Sequence, residues 1–250
     1  MLRSANPALR GDVFASEGRS VGFAQQEVMT VQGTATKSLA LIFVLMVAAA
    51  YTWREAFTGN GEMVYPLLMV GTIGGFVMAL ITTFKREWAP VTAPIYAVLE
   101  GLALGGISTM FERRFPGIAM QAVGLTMAVF MGMMLAYKTG LVQATDRFKR
   151  GVFAVTAGIG IFYLVQMVIG LFGVHMPFIH ESGAIGVGFS VVIAAVAALN
   201  LIIDFDFIES GARQRAPKYM EWYGAFALLV TLVWLYLELL RLLSKLANRD

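Results

Sequence analysis

Six carboxylic acids stand inside, or at the edges of, long apolar runs: Glu100, Asp204, Asp206, Glu209, Glu221 and Glu238. A charge at the centre of a membrane-spanning helix costs at least about 2.5–3.5 kcal/mol, so each of these groups needs a partner, water or a function. In the stretch Asn200-Leu-Ile-Ile-Asp204-Phe-Asp206-Phe-Ile-Glu209, helical geometry puts Asn200 and Asp204 on one face. Asp204 then extends a polar stripe into a bundle. Asp206 is rotated away and falls closer to Glu209, and both are expected to form an interfacial ion-pair cluster beside Arg213 and Arg215.

Glu221 follows a short turn from Ser210 to Lys218 and is expected at a depth similar to that of Asp204. Two carboxylates at one level in a low-dielectric site cannot both ionise cheaply and would share a proton. Such a pair is a pH-sensitive latch. Protonated, it is held by a hydrogen bond; deprotonated, it repels itself or transiently binds a cation through oxygen, as Ca²⁺ prefers. The competing reading makes Glu221 a first-turn acid facing the positive end of its own helix, beside Trp222 and Tyr223 of an aromatic belt. Glu238 lies about 25 Å further along the same helix, where Arg241 can neutralise it from the next turn. Glu100 has no basic residue within a turn, which calls for a deep polar partner or a water path.

Other chemistries lack their residues. Cysteine is absent, and His175 and His180 belong to no metal-ligand motif. An intramembrane metalloprotease needs His-Glu-x-x-His, an aspartyl protease needs a second aspartate on the last helix, and Ser108 and Ser190 have no histidine base at their depth. No phosphate-binding glycine loop is present, and the chain is expected not to be an enzyme. A secondary transporter would show repeated broken helices, whereas Pro66, Pro90 and Pro94 lie near helix ends.

The elements that must position these acids follow from composition. Of the 250 residues, 58% are hydrophobic and 14% charged, against roughly 25% charged in soluble domains. In hydrocarbon the backbone must satisfy itself, and the uninterrupted apolar runs select helices over the period-two strands of a barrel. Seven runs, 37–57, 63–84, 91–111, 117–142, 151–174, 183–208 and 219–246, each supply about the 20 residues that cross a bilayer. The fold expected is all-α: one seven-helix transmembrane domain, 37–250, preceded by a disordered polar tail, 1–36, with no apolar run long enough for a signal peptide. With the N-terminus in the cytoplasm, thirteen lysines and arginines fall inside and six outside. That bias places the C-terminus outside. Close glycines, Gly101 and Gly105, Gly71 with Gly74 and Gly75, Gly158 with Gly160, and Gly183 with Gly186 and Gly188, suggest tight helix packing. A small net charge of +3 spread over the loops argues against nucleic acid.

Several of these segments together resemble the Bax inhibitor-1 family, also called the transmembrane Bax-inhibitor-motif family, with its bacterial YccA-like members. They are Leu201-Ile-Ile-Asp204-Phe-Asp206, Glu100-Gly101-Leu-Ala-Leu-Gly105, and Trp234-Leu-Tyr236-Leu-Glu238-Leu-Leu, set in a seven-helix plan from Lys37 to the C-terminus. The resemblance implies a bundle with the last helix at its centre and a pH-dependent calcium leak across the cell membrane. It also implies gating by two acids, one from each of the last two helices. Asp204 matches the first. By letters the second is Glu238, a glutamate where the family has aspartate; by expected depth it is Glu221. The alternative is a non-conducting regulator of a stress response or of a membrane protease, with the basic tail around Arg3, Arg10 and Arg19 as a contact.

Overall fold

The computed structural model describes residues 28–58, 61–171 and 183–248. Seven of its helices are long and apolar enough to cross a membrane. In chain order they are α1 (Val31–Phe57), α2 (Gly61–Phe84), α3 (Ala89–Arg114), α4 (Ile118–Lys138), α5 (Asp146–Leu171), α6 (Ala184–Arg213) and α7 (Met220–Ala247). A single 3₁₀ turn, Arg86–Trp88, precedes α3. Among the described residues no sheet forms, and β pairing is limited to one bridge between Val28 and Pro217.

The helices run past their apolar windows. The first begins at Val31, six residues inside the expected tail, because Thr30 caps it: the Thr30 hydroxyl accepts from the Gly33 amide at 2.9 Å. The sixth continues to Arg213 rather than ending at Ile208, since its charged last turn is solvated and makes its own ion pairs. Most of the expected tail, together with His175 and His180, lies outside the described residues.

The last helix is central. It packs against α1, α3, α4 and α6, and it contributes to two apolar clusters. One joins Phe226, Leu229, Val233 and Tyr236 to α1, α3 and α4; the other joins Leu228, Leu232, Leu235 and Leu239 to α6. The helices α1, α2 and α3 form the tightest block. A Cβ on Gly101 would stand 2.4 Å from the Leu45 carbonyl oxygen, one on Gly105 2.4 Å from that of Ala49, and one on Gly71 2.5 Å from that of Leu99. Only glycine permits that approach.

The expectation of close packing fails elsewhere. A Cβ on Gly158, Gly160, Gly183 or Gly188 would meet nothing within 4 Å. Gly158 and Gly160 are open because α5 packs chiefly on α6 and turns much of its circumference outward, with Phe153, Ile161 and Leu164 all exposed, whereas Gly183 and Gly188 belong to the start of α6.

Candidate functional site

On α5, Lys149, Thr156 and Tyr163 are spaced by seven residues. Two helical turns take 7.2 residues, so the three drift by only about 20° per step and share one face. Each meets a polar group. Lys149 Nζ lies 2.5 Å from Asp206 Oδ2. Asn200 Nδ2 donates to Thr156 Oγ1 at 2.8 Å and to the Val196 carbonyl at 2.9 Å. The Tyr163 hydroxyl donates to Glu238 Oε1 at 3.0 Å and accepts from Arg241 Nη1 at 2.8 Å. Arg241 also donates to Glu238 Oε1 at 2.7 Å, and its guanidinium stacks over the Tyr163 ring. A polar seam therefore joins α5 to α6 and α7 through much of the bundle's thickness.

Asp204 belongs to this seam, one turn along α6 from Asn200. Its carboxyl lies beside Thr231 of α7, whose hydroxyl donates to the Ala227 carbonyl at 3.3 Å, and its enclosed Oδ2 has no hydrogen-bond partner among the described residues. Glu238, buried to 2% exposure, is in the same condition: Oε1 carries both of its hydrogen bonds and Oε2 carries none. Thr231 and Glu238 are two turns apart on one face of α7, about 10 Å along its axis. Two enclosed carboxyl oxygens with unused acceptor capacity thus lie along one seam. Such groups are costly in a protein interior unless a proton or a cation engages them.

The other expected residues divide. Glu209 pairs with Arg213 at 3.4 Å, as the interfacial cluster required, and accepts from the Tyr137 hydroxyl at 2.5 Å. Asp206 finds Lys149 rather than an arginine of its own loop. Glu100 lies on the contact between α2 and α3, where a Cβ on Gly75 would stand 2.9 Å from its Oε2, and takes no part in the seam.

The pairing of Asp204 with Glu221 is corrected. Because α6 extends to Arg213, Asp204 is nine residues from its end, about 13 Å deep, whereas Glu221 is the second residue of α7. Glu221 instead closes the start of α1. Its Oε1 accepts from the Thr30 amide at 2.9 Å and the Thr30 hydroxyl at 2.8 Å, Lys218 lies at 3.3 Å, and Lys37 pairs with Oε2. The space it occupies is reserved by Gly33, whose Cβ would overlap the carboxylate. Met29 adds a backbone bond to the Ala216 carbonyl at 2.8 Å, so the entry to α1 straps the turn between α6 and α7. With Asp204 and Glu221 apart, no shared calcium ligation joins them. Among the described residues no cluster of three or more His, Asp or Glu side chains could hold a metal ion.

The sequence reading missed Lys149, Thr156 and Tyr163. Their seven-residue spacing was the available signal, diluted because threonine and tyrosine are common in lipid-facing helices. It did anticipate the local Glu238–Arg241 pair.

A family model described as Bax inhibitor 1 like matches residues 6–248, nearly the whole chain. A search of curated proteins finds no match.

Proposed function

The chain belongs to the Bax inhibitor 1 like family, and from that membership together with the seam's geometry we propose that it is a pH-sensitive cation leak, with Ca²⁺ as the permeant ion. The observation that carries this reading is the pair of enclosed, unpartnered oxygens, Asp204 Oδ2 and Glu238 Oε2, on one seam. A carboxyl in a low-dielectric interior holds either a proton or a cation. Exchange of one for the other couples passage to pH, and oxygen donors spaced along a helix give a calcium ion successive places to rest. Asp204 is the inner of the two gating acids and Glu238 the second; Asp206 and Glu209 continue the path toward the end where α6 turns into α7, and Asn200 stands one turn on the other side of Asp204. The charge bias of the loops supports a plasma or inner membrane protein with its N-terminus in the cytoplasm.

Purified protein in liposomes loaded with a calcium indicator tests the proposal. Calcium should enter down its gradient at a rate that depends on pH, and Asp204→Asn and Glu238→Gln should each alter that dependence. Unchanged gating in Asp204→Asn would remove Asp204 from the mechanism. A wild type that passes no calcium would overturn the leak, and a membrane protease co-purifying with it would then favour the non-conducting regulator.

A further inference from the structure

A second feature stands on the opposite side of α7. A cavity of about 400 Å³ is bounded by α1, α3, α4 and α7, within the size range of ligand sites. On α7 it is bordered by Leu229, Leu232, Val233 and Tyr236. At 100° per residue these centre roughly 160° from Thr231 and Glu238, so the cavity and the polar seam occupy opposite faces of one helix.

Three observations specify its occupant. The first is direction. Helices α1 and α4 both line the cavity but do not form a packed pair, and the lining residues Met46, Met120 and Met127 on these two helices are exposed. The opening therefore faces sideways, where a membrane-spanning helix meets hydrocarbon rather than water. The second is length. Along α1 the lining runs from Ile42 to Trp53, about 16 Å at 1.5 Å per residue, and one leaflet contributes half of a hydrocarbon core roughly 30 Å thick. The third is charge. The cavity ends near the turn between α3 and α4, where Arg54, Arg113 and Arg114 are exposed. The acid at that end, Glu112, is turned to the start of α4 and accepts from the Gly117 and Ala119 amides at 2.6 and 3.1 Å. Its charge is thereby matched to a helix N-terminus; Arg113 spends one donor on the Ala56 carbonyl at 2.8 Å and Arg114 one on Asn248 Oδ1 at 3.3 Å, and each guanidinium keeps further N–H donors for a phosphate.

We propose that this cavity binds one acyl chain of a membrane phospholipid drawn from the leaflet on the α3–α4 side, with the phosphate held among Arg54, Arg113 and Arg114. The chain enters between α1 and α4 and reaches the Ser108–Tyr236 hydrogen bond, 2.7 Å long, that joins α3 to α7. Methionines at the mouth suit a flexible apolar guest, since their unbranched side chains repack easily.

Native mass spectrometry of the full chain in detergent, with dioleoyl phosphatidylglycerol added at low molar ratio, tests the site. The wild type should retain one phospholipid per chain. Ala50→Trp and Val123→Trp, which fill the mouth and the α4 wall, should reduce the bound fraction at least fivefold; Val47→Trp, exposed on α1 away from the cavity, should leave it unchanged. Equal retention in all four proteins would overturn the proposal, as would a wild type that retains no lipid or that fills the groove by dimerising. If the tryptophan variants fail to fold, Ala50→Leu takes their place and must lower retention at least twofold for the proposal to stand. None of these measurements depends on calcium flux.

Discussion

The two flanks of the bundle are held by different forces. On one, α1, α2 and α3 meet through glycine at backbone-to-backbone distance, and dispersion over a close surface does the work. On the other, α5 meets α6 and α7 with Lys149, Thr156 and Tyr163 each spent on a polar partner, while its glycines face open space. Lipid is as apolar as leucine, so packing in a membrane is favourable only where surfaces come very close, and otherwise helices are joined by polar contacts. The close-packed flank is suited to a fixed frame. The polar flank, with fewer and individually weaker ties, is the side on which a helix can shift.

This contrast can be broken at several points. The largest effect is expected where the frame is pinned to α7: Glu221→Ala leaves Lys37 and the Thr30 amide without their buried partner, and should lower stability by roughly 3–5 kcal/mol. Thermal unfolding in detergent would read this as a clear fall in midpoint, and an unchanged midpoint would mean that the strap contributes nothing. Gly101→Leu forces a side chain against the Leu45 carbonyl. Loss of roughly 1–3 kcal/mol or more is expected, visible in the same melt; a neutral result would show that α1 and α3 separate freely. Gly160→Ala on α5 should instead stabilise by up to about 1 kcal/mol, because nothing obstructs the methyl group and alanine is the better helix former. Destabilisation there would reveal a contact that the open flank does not show. Smallest is Thr156→Val, which removes one hydrogen bond from the seam and should cost about 0.6 kcal/mol. A loss several times larger would make the seam as rigid as the frame.

Chemical identity alone determined that the chain crosses a membrane as seven helices, because uninterrupted apolar runs of about twenty residues have no other stable form in hydrocarbon. It also singled out Asp204 and Glu238, since an acid in such a run is costly wherever it points. What it left open was distance between helices. The depth of Asp204 depended on the segment 209–213, which prolongs α6 beyond its apolar window and could equally have formed a loop. Glu221 turned from a partner of Asp204 into a cap for α1 because Gly33 opens a space for its carboxylate, a complementarity between residues almost two hundred positions apart. The seam on α5 and the cavity behind α7 arise in the same way. Sequence states which side chains are expensive to bury, whereas only the packed bundle decides which of them meet.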